Sequence, residues 1–179
     1  MHNVSLNEVL ENSKQFSGCI NKIYIHWTAG TYNQVFGDYH FCIQGDGTII
    51  QTTENLSERL AHTWRRNSNA IGIALCCAYD AMIWADGRFD LGSMPPTQAQ
   101  IETCAKLVDF LCESLNIDIS IDNIMTHSEI ADIDGYGPAY IGTSKFEKWD
   151  LWKLQDFDNQ WKSGGDVIRG KALWYRANR

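Results

Sequence analysis

The sequence predicts an α/β fold, a single domain with a central mixed β-sheet flanked by helices, and three stretches carry that prediction. Lys22-Ile23-Tyr24-Ile25-His26-Trp27-Thr28-Ala29-Gly30 is a run of β-branched and aromatic residues stopped by a glycine, the composition of a buried strand. Ala70 to Tyr79 is almost continuously apolar, which suits a strand covered on both faces. Between Thr97 and Leu115, Ile101, Cys104, Ala105, Val108, Leu111, Cys112 and Leu115 recur at intervals of three and four, the apolar face of a helix that packs on a sheet. Strands alternating with helical patterns in this way build one sheet with helices laid over it.

Taken from the N-terminus, Ser5 and Glu8 form a capping-box pattern ahead of Leu6, Val9 and Leu10, so a helix is expected over about 6–16. The His26 strand follows. His40 to Gln44 and Thr48 to Thr52 are short β-type runs around Gly45-Asp46-Gly47, a hairpin signal, with Tyr39 at its mouth. Residues 54–69 are polar and loop-like and carry His62, Trp64, Arg65 and Arg66 ahead of Asn69. The run from Ala70 is the expected central strand, and residues 80–94 read as a loop. Thr97 and Gln100 make a second capping box at the start of the long helix. Asn123-Ile124-Met125-Thr126-His127 is another short strand ending in a histidine, with Ser128 and Glu129 opening a helical turn. A glycine-rich stretch from Asp134 to Gly142 leads to Lys148-Trp149-Asp150, and Val167 to Trp174 suits a final helix in a tail, 162–179, that packs on the body.

Composition narrows the function classes. With 179 residues, 44% of them hydrophobic, the chain can bury one sizeable core. No apolar run approaches the ~18 residues of a membrane span, and the N-terminus does not read as a secretory signal, so synthesis in the cytoplasm without membrane insertion is expected. Fifteen Lys and Arg against 22 Asp and Glu give a formal charge of −7, which argues against nucleic acid or an anionic membrane as the main partner. Six cysteines include the adjacent Cys76 and Cys77 and no C-x-x-C pair, and most sit in apolar patterns, so free buried thiols are expected.

The histidines give the chemistry. His26 and His127 each close a strand, and strand ends on one edge of an α/β sheet converge on a crevice. Two imidazoles and one carboxylate would complete a three-ligand zinc site with an open fourth position, the arrangement of hydrolytic zinc enzymes. Asp150 is the candidate carboxylate, with Asp132 and Asp134 as alternatives.

These residues, in this order and spacing, resemble the zinc-dependent N-acetylmuramoyl-L-alanine amidases of the type-2 amidase and peptidoglycan-recognition superfamily. The resemblance runs from about residue 23 to 154. It rests on Ile25-His26-Trp27-Thr28-Ala29, Tyr39-His40-Phe41 through Thr48-Ile49, His62 with Asn69-Ala70-Ile71-Gly72-Ile73, Thr97 with Gln100, Thr126-His127-Ser128-Glu129, and Lys148 with Asp150. It implies a Zn²⁺ cofactor held by His26, His127 and Asp150, and cleavage of the amide between N-acetylmuramic acid and L-alanine in peptidoglycan or its muropeptide fragments. In the same pattern Lys148 stabilises the oxyanion and Tyr39 orients the attacking water or shuttles its proton. His62 falls on a groove position of the family, and Asn69, Trp64 and Trp27 are candidate substrate contacts, with core packing the alternative for Trp27. Arg65 and Arg66 would meet peptide carboxylates or solvent, and Glu129 would support a ligand from behind. The connection from His127 to Asp150 is longer than in compact members, and its glycines and tyrosines suit a lid or rim. A monomer is expected, acting on the wall after release or export, as a phage endolysin or a secreted protein would, or on cytosolic muropeptides. The alternative function is a non-catalytic peptidoglycan-binding module or a protein-binding regulator of the same fold.

Overall fold

The computed structural model describes residues 1–84, 86, 88–136 and 147–179. Six strands make the central sheet, in the order β1 (His2–Asn3), β4 (Ile49–Gln51), β3 (Phe41–Ile43), β5 (Ala70–Leu75), β2 (Lys22–Trp27), β8 (Ile124–Thr126). Strands β3, β5, β2 and β8 are parallel neighbours, while β4 and β1 join antiparallel, so the sheet is mixed, as predicted. Residues 80–94, expected as loop, contain a short hairpin of β6 (Met82–Ile83) and β7 (Phe89–Asp90). A second hairpin, β9 (Lys153–Gln155) with β10 (Trp161–Ser163), follows Asp150.

Strand alternation sorts the side chains onto two faces. Ile23, Ile25 and Trp27 of β2 join Ile71, Ile73 and Leu75 of β5 and Phe41 and Ile43 of β3 in the main core. Helices α1 (Leu6–Ser13), α2 (Gln98–Leu115) and α4 (Gly164–Ala177) contribute Val9, Ile101, Cys104, Val108 and Ile168 to that same cluster. The intervening positions face the other way, Tyr24 toward Ile130 of α3 (His127–Asp134), His26 and Gly72 toward His62 of the 54–69 loop, and Cys42 and Ala74 toward Val35 and Tyr39. That second face is lined by small residues in β5. A Cβ on Gly72 would sit 2.7 Å from His62 ring atoms, so the glycine is what admits the imidazole against the sheet.

The predicted caps form. Ser5 and Glu8 close the box at α1, which continues as a 3₁₀ turn over Lys14–Phe16. Thr97 and Gln100 close the box at α2, and the Gln100 amide also donates to Ile43 O and Cys76 O, each at 2.9 Å, tying the helix start to the ends of β3 and β5. Helix α4 begins earlier and ends later than the expected 167–174 and packs on α2, where Arg176 Nε meets the buried Asp109 carboxylate at 2.6 Å. All six cysteines are free thiols, and all but Cys19 are buried. The lid or rim expected over 134–142 is placed only as far as Tyr136, and its remainder lies outside the described residues.

Candidate metal centre

Sheet register brings the two histidines together. Ile25 of β2 pairs with Thr126 of β8, so the next step along both strands sets His26 beside His127 on the same face. Their ring centroids are 4.9 Å apart, the spacing of neighbouring strands. His127 is also the first residue of α3. Thr126 caps that helix by accepting from Glu129 N at 3.2 Å, and Glu129 Oε2 accepts from Thr126 N at 2.8 Å. The helix therefore starts at the histidine itself, one residue earlier than Ser128. Arg169 of α4 holds the Glu129 carboxylate through both of its oxygens, at 2.9 and 2.7 Å, and bonds Ile124 O at 2.9 Å.

Asp150 arrives from a separate segment, a 3₁₀ turn over Glu147–Trp149. Ser128 fastens that segment to the start of α3, its N–H donating to Asp150 O at 3.0 Å and its hydroxyl to Lys148 O at 2.8 Å. The Trp149 ring packs on Trp27 at 4.7 Å. Asp150 Oδ2 then lies 2.9 Å from both His26 Nδ1 and His127 Nδ1, and Oδ1 accepts from Trp27 N–H at 2.7 Å. The ligand atoms of His26, His127 and Asp150 fall within 4.8 Å of one another, and this is the one such cluster among the described residues. Asp132 and Asp134 are engaged elsewhere, with Lys148 at 3.5 Å and with Arg66 through two bonds of 2.7 and 2.6 Å.

The donor set fits a zinc ion. Both imidazoles turn Nδ1 inward, and each outer nitrogen meets a hydroxyl, His127 Nε2 at 3.0 Å from Tyr136 Oη and His26 Nε2 at 3.4 Å from Thr63 Oγ1. A metal-binding histidine needs such an outer partner to fix its tautomer and ring orientation. Burial pushes His26 below the ordinary histidine range, against the pull of Asp150, which favours the neutral imidazole a metal requires. Burial alone would raise the Asp150 carboxyl, but the His26 and His127 rings hydrogen-bonded to it hold it down at about 2, so it is ionised.

The other predicted residues are distributed around this cluster. The Tyr39 ring is 5.1 Å from His26, and burial together with Asp150 pushes its hydroxyl far above the usual range, so it stays a protonated donor. Lys148 is part-exposed beside Asp132. His62 packs edge-on to His26 at 5.3 Å, is only 7% exposed, and is pushed down to about 2 by burial and the neighbouring imidazoles. Its Nδ1 lies 3.0 Å from Thr63 Oγ1. Trp64 is exposed at the rim, between Tyr136 at 5.0 Å and the Arg65 guanidinium at 4.2 Å, while Arg66 is tied to Asp134.

Two candidate contacts sit differently from expectation. Trp27 is 4% exposed and takes the core alternative, so the site receives its backbone N–H rather than its ring. Asn69 lies at the opposite end of the parallel strands, where its carbonyl accepts from Asn21 N and Lys22 N. His26 pairs with Ala74, five residues and roughly 16 Å of strand from Asn69, so the two side chains are not brought together. Thr63 and Tyr136 are site residues that sequence reasoning missed. A hydroxyl adjoining a candidate histidine was the available signal for Thr63, whereas the tyrosines of the glycine-rich stretch were expected only as lid or rim, not as a partner for His127.

A family model described as N-acetylmuramoyl-L-alanine amidase matches residues 16–139, which include His26, Tyr39, His62 and His127 but stop short of Lys148 and Asp150. Among solved structures, the chain is similar to an endolysin N-acetylmuramoyl-L-alanine amidase, LysCS, from Clostridium intestinale URNW, at 22% identity and a TM-score of 0.47, covering 70% of this chain and 76% of that one. It is also similar to the N-acetylmuramoyl-L-alanine amidase LysC from the same organism, at 20% identity and a TM-score of 0.44, covering 73% of this chain and 82% of that one. A search of the curated proteins gives no match.

Proposed function

Because this chain belongs to the N-acetylmuramoyl-L-alanine amidase family, enzymes that hydrolyse the amide bond between the glycan and the peptide of peptidoglycan, we propose that His26, His127 and Asp150 are its zinc ligands and Tyr39 and Lys148 its catalytic side chains. The observation that carries this reading is the convergence of two Nδ1 atoms on one oxygen of Asp150, each at 2.9 Å. A bound zinc supplies Lewis acidity, polarising the scissile carbonyl and lowering the pKa of water toward neutrality.

The remaining work falls to the protein. His26 and His127 are oriented through Thr63 and Tyr136, and Asp150 brings the negative charge that would leave a dication with a net charge near +1. Tyr39, held as a phenol, donates a hydrogen bond to the attacking water or to the departing amine nitrogen rather than acting as a base. Lys148 offers an ammonium to the oxyanion, and its contact with Asp132 at 3.5 Å is a weak tether. Trp64 supplies a rim contact for substrate, whereas the buried His62 acts through Thr63 on His26. The complete ligand set favours an enzyme over a non-catalytic module, and no helix among the described residues is long and apolar enough to cross a membrane.

Elemental analysis of zinc, run beside peptide release from purified sacculi, tests the reading on wild type and Asp150→Ala. Wild type is expected to carry about one zinc and to free peptides with L-alanine at the new N-terminus, with both lost in the variant. A metal-free, inert wild type that still sediments with sacculi would replace the enzyme by a binding module.

A further inference from the structure

The molecule also carries an aromatic cleft that the ligand cluster does not use, with Phe89 and Trp152 packed on the main core, on the sheet face opposite His26. The β6–β7 hairpin lies in the connection that leaves the C-terminal end of β5, and the β9–β10 hairpin begins three residues after Asp150. Both therefore belong to the edge where His26 and Asp150 sit, the edge at which open α/β sheets bind their ligands. The hairpins meet through rings. Phe89 stands edge to face against Trp161 at 4.9 Å and 90°, and against Trp152 at 5.5 Å and 74°. Trp152 is two residues past Asp150, so its Cα lies within about 7 Å of that ligand's.

The row is held by paired backbone. Trp161 is opposite Gln155 in the hairpin register, and Gly164 N donates to Trp152 O at 2.9 Å. Between the hairpins is a cleft of about 820 Å³ whose lining includes Trp84, Arg88, Phe89, Asp90, Gln155 and Trp161. Trp84 and Trp161 keep 39% and 44% of their surface exposed, two large rings facing water on one small patch.

Size and charge select the occupant. The cleft has the volume of a small-molecule or oligomer subsite and is too small to seat a protein, whose interface takes roughly 800 Å² from each partner. Its cations are already engaged. Arg88 Nε bonds Asp86 at 2.8 Å and the guanidinium lies over Trp84 at 5.4 Å, while the Lys153 ammonium lies over Trp152 at 4.3 Å. Among the described lining residues Arg88 is the one cation, which with a chain charge of −7 makes the cleft a poor site for the carboxylates of a peptide. What the cleft offers is flat apolar faces beside the Gln155 amide and the Asp90 carboxylate, partners for the C–H face of a pyranose and for its hydroxyl and acetamido groups. We propose that this cleft, on the sheet edge that also holds the metal cluster, is an accessory subsite for the glycan strand, a chain of N-acetylated hexosamines. This rests on the amidase reading. It makes the enzyme one that grips polymeric wall by stacking, without help from charge.

The probe is a tetramer of N-acetylglucosamine, which has no peptide to cleave. It is titrated by calorimetry into the zinc-loaded wild type, Trp161→Ala and Trp161→Phe. In parallel, kcat/KM is measured on intact sacculi and on a soluble muramoyl-peptide. The tetramer is expected to bind wild type with little response to added salt, about fivefold or more weakly to Trp161→Ala, and close to wild type to Trp161→Phe. The ratio of kcat/KM on sacculi to that on the soluble substrate is expected to fall in Trp161→Ala through KM. The subsite is overturned by a tetramer that does not bind wild type or binds Trp161→Ala equally well, and by rates on both substrates that fall together. A wild type that binds the tetramer but cleaves neither substrate sinks the amidase reading and keeps the cleft as a glycan site.

Discussion

One hydroxyl sets the protons at the centre. If His26 Nδ1 gives its lone pair to a metal, its Nε2 carries the hydrogen and donates to Thr63 Oγ1, which leaves the threonine proton to reach His62 Nδ1 at 3.0 Å. The order of donors along His26, Thr63 and His62 then has a single solution, and it breaks if the hydroxyl is removed. Thr63→Val is expected to weaken zinc affinity on the order of tenfold, and Thr63→Ser to restore it, in a chelator competition. Equal affinity in all three proteins would mean that packing against His62 and Tyr39 orients the His26 imidazole without Thr63. Tyr136 plays the matching part for His127 from the far side of the cluster.

At the scale of elements, α4 reaches the site although it lies beyond the family match. Arg169 is 7% exposed and bonds Glu129, Asp166 and Ile124 O, so it braces the turn that presents His127. Lysine cannot reproduce that two-pronged grip. Arg169→Met leaves Glu129 without its partner and is expected to cost about 3 kcal/mol in urea unfolding, with zinc affinity falling as well. Adding Glu129→Gln should recover part of the loss, and a single variant as stable as wild type would reduce the pair to a surface contact. This brace also marks what could be read in the sequence. Capping boxes and long apolar runs are local signals, and Ser5, Thr97, β2, β5 and α2 were all legible from them. Strands of two or three residues, such as β1, β6 and β9, hold too little period to register, and they form because a neighbouring strand or hairpin offers a partner. Arg169 looked like one more charged residue on a helix, since its role depends on a glutamate forty positions earlier.

For the whole molecule, the meeting of His26 and His127 was legible because both end strands, and Asp150 stood out from Asp132 and Asp134 only through the family resemblance, while the small-residue floor beneath the cluster was not legible. Gly72 and Ala74 read as parts of an apolar strand, yet their size is what lets a layer of imidazoles lie on the sheet. That layer has a consequence for acid stability. His26, His40 and His62 are all lowered by burial, and His40 is fixed as neutral by accepting from Gly72 N and donating to Glu58 O, each at 3.0 Å. The unfolded chain takes up protons at these positions near pH 6.5, whereas the folded chain does so only at lower pH. Between those values the unfolded state binds more protons, so stability falls as the pH drops, by up to about 1.4 kcal/mol per pH unit for each histidine. The Asp150 carboxyl, held at about 2, adds its loss only further down, once the pH falls below the ordinary carboxylate range. Urea unfolding in chelator between pH 7.5 and 5.5 is therefore expected to show a steep decline. His40→Asn should be less stable at pH 7.5 but flatter by about one proton's worth of slope. A wild type whose stability does not change over that range would mean that the imidazole layer opens to water and is protonated without unfolding.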